Sequence, residues 1–83
     1  MKYILVQRNE SCKANSNEEF VTWMRRCDIE YHKENSDFMT SYARRKSLFE
    51  DVEIRFDHED HFVEDLQKNE FLKIEKKPKW KLF

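Results

Sequence analysis

The hydrophobic pattern along the chain changes period several times, and each change predicts an element. Residues 2–8, KYILVQR, place Tyr3, Ile4, Leu5 and Val6 consecutively. An unbroken apolar run of this length predicts a strand buried on both faces, central in its sheet. The polar stretch 9–16, NESCKANS, reads as a loop. Ser16-Asn17-Glu18-Glu19 then has the S-x-x-E form of a capping box, in which a serine side chain accepts from the amide three residues on. Phe20, Trp23, Met24, Cys27 and Tyr31 follow at spacings of three and four, so they share one helical face, and Cys27 on that face reads as a buried structural thiol. Arg25 and Arg26 point away from it, and Ile29 falls opposite it. Asn35-Ser36-Asp37 marks a second helix start, with Phe38, Met39, Tyr42 and Phe49 on its apolar face, Ala43 at the edge and Arg44 outside.

The period then drops to two. In 52–56, VEIRF, Val52, Ile54 and Phe56 alternate with Glu53 and Arg55, the pattern of a half-buried strand. Asp57 is placed to cap a third helix, with Glu59 and Asp60 in its first turn and an apolar stripe at Phe62, Val63 and Leu66. FLKIEK (71–76) predicts another strand. Pro78 turns the chain, and Trp80 and Leu82 alternate with Lys79 and Lys81. The expected order is β-α-α-β-α-β, with a short final β. This is a small two-layer α+β domain with a three- to four-stranded sheet and helices mainly on one face. If 52–56 and 71–76 are parallel, the helix between them crosses right-handed. The whole chain, 1–83, forms one compact domain, with 77–83 a tail or edge strand.

Composition narrows the function. Eighty-three residues allow one core, and the aromatic share of 14% compensates for its small size. The balance of 16 basic and 17 acidic residues provides no global attraction to nucleic acid or to an anionic membrane. Locally the balance tilts: residues 50–65 carry eight acids against Arg55, and 66–83 carry six lysines against Glu70 and Glu75. Glycine is absent, which excludes the P-loop, the dinucleotide fingerprint and the nucleophile elbow. Positions with positive φ must then fall to Asn, Asp or another residue. Two cysteines make no disulfide framework, and the apolar N-terminal run is too short for a signal peptide or a membrane span. A reducing cytoplasm is the expected compartment.

Three groups of residues are candidates for chemistry. His58, His61 and Asp65 share one arc of the third helix, a spacing that can hold a divalent ion. A single helix rarely completes such a site, and the same stretch reads more simply as a capped helix start, so no cofactor or metal is assigned. Neither the abundant carboxylates nor Cys27 with His32 forms a catalytic pattern, and the expectation is a protein that is not an enzyme. The third group is basic. Lys73, Lys76, Lys77, Lys79 and Lys81 interleave with Trp80, which suits phosphate contacts and base stacking. Arg25, Arg26, Arg44 and Arg45 can extend that surface. The competing expectation is an edge strand whose lysines block aggregation. Twelve aromatics exceed what one small core needs, so some should reach the surface and serve a homodimer or a partner interface.

In its abrupt MKYILV start, high charge, lack of glycine and lack of an enzyme motif, the chain resembles the small orphan host-takeover and counter-defence proteins of large tailed bacteriophages. The resemblance implies a small binding protein, phage-encoded, acting in the host cytoplasm. It would inhibit or modulate a host factor such as a defence system, a toxin or a ribonucleoprotein. The alternative is an RNA- or single-stranded nucleic-acid-binding protein using the lysine-rich C-terminal segment.

Overall fold

A computed structural model describes residues 1–75. The expectations for Pro78, Trp80, Leu82 and the lysines beyond residue 75 lie outside the described residues. The elements are β1 (Lys2–Leu5), β2 (Glu10–Lys13), α1 (Asn17–Cys27), α2 (Asn35–Glu50), α3 (Glu59–Lys68) and β3 (Leu72–Glu75). Among the described residues the sheet has three antiparallel strands in the order β2-β1-β3. The α+β class is as expected, with β1 central. The order is β-β-α-α-α-β, and it differs from expectation at two places.

The first is residues 10–13, read as loop and found as β2. Its sequence, ESCK, carries no apolar alternation beyond Cys12, so the hydrophobic pattern cannot reveal it. What makes it a strand is the hairpin: a turn over 6–9, with Asn9 at φ 51°, brings it into register with β1, pairing Tyr3 with Cys12. The second is 52–56. These residues run without turn or bend, and Ile54 is buried, but they join no ladder among the described residues. The expected inward Phe56 is half exposed. Alternation here records proximity to the core on one side and does not require a paired neighbour.

Burial of the sheet is one-sided. Tyr3, Leu5 and Leu72 face the helices, with Cys12 and Ile74 beside them, while Lys2, Lys13, Lys73 and Glu75 cover the other face. β1 is therefore buried on one face only, the face that α1 and α3 cover. Val6 is exposed, since the strand ends at Leu5 and turns.

The helices cover Tyr3 with aromatic side chains. Tyr3 stacks on Phe20 of α1 at 4.4 Å, and Phe62 of α3 meets Phe38 and Tyr42 of α2 edge-on at 6.2 and 5.4 Å. Each fully buried side chain of this size contributes about 1.5–3 kcal/mol of apolar burial. Tyr3 keeps its hydroxyl satisfied by donating to Asn17 (2.8 Å), which in turn donates to Asp60 (2.9 Å), linking sheet, α1 and α3. α1 starts as predicted: the Ser16 hydroxyl accepts from the Glu19 amide at 3.1 Å.

Three further residues expected in the core are outside it. Cys27 is the last residue of α1 and is exposed; Tyr31 lies beyond the helix end and is 87% exposed. Phe49 is in line with Phe38 on α2, yet it is 81% exposed. Leu48 beside it in the last turn of α2 is 73% exposed. The turns are closed without glycine by Asn9, Asp51 and Glu70 in the left-handed region, as the composition requires. No helix among the described residues is long and apolar enough to cross a membrane.

Candidate functional site

The connection between α1 and α2, residues 28–34, combines a fixed base with an apolar tip. Arg25 turns into this junction: its Nε donates to Asn35 Oδ1 (2.8 Å), and one terminal nitrogen donates to the carbonyls of His32 (2.8 Å) and Lys33 (3.0 Å). Asp28 faces inward from the end of α1 and is approached by His32 Nε2 at 3.0 Å and Arg45 at 3.3 Å. A carboxylate oxygen only accepts, so His32 Nε2 carries the hydrogen. The imidazole is packed edge-on against Phe38 at 5.7 Å. Asn35 also donates to Thr22 (3.0 Å) and Glu59 (3.3 Å), so the base of the loop is tied to all three helices. Between these anchors Ile29 is 101% exposed and Tyr31 is 87% exposed. A branched aliphatic and an aromatic side chain thus stand in water on a connection held at its base by these hydrogen bonds.

The basic candidates separate. Arg25 belongs to the loop anchor. Arg45 bonds Asp28 and lies 5.8 Å from the centroid of the Tyr42 ring. Arg26 is exposed on α1, and Arg44 lines a groove on another side of α2. Lys73 is on the outer face of the sheet, where Lys2 and Lys13 stand opposite each other in register. Lys76, Lys77, Lys79, Trp80 and Lys81 lie outside the described residues.

The histidine cluster also divides. His58, and not Asp57, caps α3: its Nδ1 accepts from the Asp60 amide at 3.0 Å. Asp57 instead pairs with His61 Nδ1 at 3.0 Å, and that hydrogen bond holds its carboxyl below the ordinary aspartate value. Asp65 points away from both, buried against Arg55. It accepts from the Arg55 backbone amide at 2.8 Å and from the guanidinium through both oxygens at 3.0 Å. These hydrogen bonds depress the Asp65 pKa despite burial. Among the described residues no group of three His, Cys, Asp or Glu side chains is placed to hold a metal ion.

Two concavities accompany the loop. A cleft of about 300 Å³ lies between the β1–β2 turn and α2, lined by Arg8, Tyr42, Arg45, Lys46 and Phe49. Burial pushes the Tyr42 hydroxyl up to about 12, so it stays protonated throughout the physiological range. Lys46 closes the cleft floor, bonding Gln7 (2.8 Å) and Glu50 while resting 4.1 Å from the Phe71 ring centroid. A larger groove of about 1040 Å³ runs between α2, residues 53–56 and the C-terminal half of α3. Neither concavity is visible in the sequence. The loop gave one signal there, Ile29 standing off the helical face.

These features define a small α+β domain with a half-covered three-stranded antiparallel sheet and a pinned apolar loop. No protein-family model, curated protein or solved structure matches the chain.

Proposed function

We propose that the protein acts by binding another protein, with Ile29 and Tyr31 entering an apolar pocket of the partner. The observation that carries this reading is their near-complete exposure on a loop anchored by Arg25, Asp28, His32 and Asn35. A pre-ordered loop loses little entropy on binding, so buried apolar area there converts efficiently into affinity. Charge favours a protein over a nucleic acid. The four lysines beyond residue 75 account for a quarter of the 16 basic residues, leaving 12 against 17 acidic ones in the first 75. In keeping with the likeness to phage takeover proteins, the partner is a host factor met in the cytoplasm, blocked or redirected by occupation of its pocket and not by catalysis.

The second reading is RNA binding by the uncovered sheet face. Lys2, Lys13 and Lys73 are exposed there, and in sequence they join the lysines that follow Glu75. One experiment separates the two. Tagged protein is used to capture partners from bacterial lysate with and without ribonuclease, alongside Ile29→Asp and Tyr31→Ala. A protein partner retained after ribonuclease and bound ten- to hundredfold more weakly by either variant is expected, the range for an interface anchor (about 1–3 kcal/mol). Capture that is abolished by ribonuclease and indifferent to both variants overturns the first reading and moves the site to the sheet face.

A further inference from the structure

Residues 52–56 are a strand in all but pairing. The segment is free of turns and bends, Val52 and Ile54 point to the core, and Glu53 and Arg55 are exposed. Of its backbone groups, the Val52 amide reaches the Lys46 carbonyl at 3.4 Å and the Arg55 amide reaches Asp65; the others have no hydrogen-bond partner among the described residues. Along an extended chain successive residues direct their N–H and C=O to opposite sides. With the Arg55 amide turned to α3, those of Ile54 and Phe56 turn the other way. Buried backbone groups without partners are rare in folded proteins, and Ile54 is only 5% exposed. The groove of about 1040 Å³ lies along this segment.

The sequence of the segment states what fits there. Read antiparallel to itself about Ile54, VEIRF is self-complementary: Val52 meets Phe56, Glu53 meets Arg55, and Ile54 meets Ile54. We infer that residues 52–56 pair with the same residues of a second copy of this chain, forming a two-fold dimer through a shared antiparallel ladder. Ile54 and its mate exchange two hydrogen bonds, and the Lys46 carbonyl at Val52 closes the ladder at each end. The Val52 amides stay with Lys46. The Glu53–Arg55 contacts fall at the non-hydrogen-bonded positions, where facing side chains approach most closely. Both ions are ready for this. Glu53 is exposed without an ion-pair partner among the described residues, and Arg55 uses Nε and one terminal nitrogen on Asp65 and Glu64, leaving the other terminal nitrogen for a new acceptor. Exposed Leu48 and Phe56 line the same groove and supply apolar area beside the ladder. A two-fold interface needs one self-matching patch, and this segment is one.

This contact is independent of the 28–34 loop. The test is sedimentation equilibrium of the full chain from micromolar to submillimolar concentration, with amide hydrogen exchange over the same range. A concentration-dependent dimer is expected, with the Ile54 amide gaining protection as it forms. Glu53→Lys, at an exposed site with no role in the fold, sets like charges opposite each other twice. It should weaken the dimer at least tenfold while leaving circular dichroism and partner capture unchanged. Ile29→Asp should leave the dimer intact. A monomer at all concentrations overturns the inference. So does a dimer that forms without protecting the Ile54 amide, or protection of that amide that is already complete in the monomer.

Discussion

Removing the Asp65 carboxylate should destabilise the fold by more than removing the arginine it binds. The Asp65 side chain is 11% exposed, while that of Arg55 is 48% exposed. In Asp65→Ala the guanidinium therefore returns to water, and its share of the loss is small. The Arg55 backbone amide loses an ionised acceptor at 2.8 Å, and stranding such a donor costs about 1–3 kcal/mol. The loss is therefore about 1–3 kcal/mol, a large part of the roughly 4–12 kcal/mol available to a chain this size. Arg55→Ala keeps the amide-to-carboxylate bond and should cost less. Asp65→Asn keeps an acceptor without the charge and should fall near about 1 kcal/mol. Urea unfolding of the three variants and of the double alanine variant checks the order and gives the coupling between the two side chains. An Asp65→Ala loss no greater than that of Arg55→Ala would show that the backbone amide is not the main contact. The assignment of Asp65 as the clamp on residues 52–56 would then fail.

The same carboxyl contributes to the acid limb of stability, together with Asp57 and Glu50, whose pKa values are also lowered by their hydrogen bonds. The folded-state pKa of Asp65 lies below its unfolded value, so its stabilisation is complete above the unfolded value and fades as pH falls through the folded one. Unfolding free energy should hold steady from neutrality to about pH 5 and fall below about pH 4, and Asp65→Asn should flatten that fall. Ser16→Ala should cost about 1 kcal/mol, because the Glu19 amide loses its cap; thermal unfolding checks it, at about 4–8 °C per kcal/mol. Glu70→Gly should instead stabilise by about 0.5–1 kcal/mol, since Glu70 sits at φ 63°, where a Cβ crowds the backbone; equilibrium denaturation with an unchanged m-value is the expected result.

Where elements carry their own periodicity, the sequence sufficed. Phe20 and Met24 marked the face of α1, Phe62, Val63 and Leu66 that of α3, and the cap at Ser16 was legible residue by residue. Failures came where a neighbour decides. β2 has little apolar content and exists because β1 offers an edge to pair with. Residues 52–56 have strand alternation and lack a partner among the described residues. Asp57 was a plausible cap, but His61 one turn on took its carboxylate, and the imidazole of His58 capped α3 instead. The candidate site suffered most. Whether Arg25 faces water or the junction depends on how α1 meets α2, and nothing in its spacing from Phe20 says that the carbonyls of His32 and Lys33 will be waiting.

The three left-handed turns bear on the state from which this chain folds. Asn9, Asp51 and Glu70 each place a side chain where a hydrogen would be easier to fit. That strain belongs to the native structure. The unfolded chain has a compensating feature: glycine has the widest conformational range of any residue, and this polypeptide contains none. Its denatured ensemble is correspondingly narrower, so less disorder must be surrendered on folding. A domain this small has little apolar burial with which to offset chain entropy. Part of its stability therefore lies in what the unfolded molecule is unable to do, and substituting glycine at positions of ordinary φ, even far from every contact described above, should be felt as a loss.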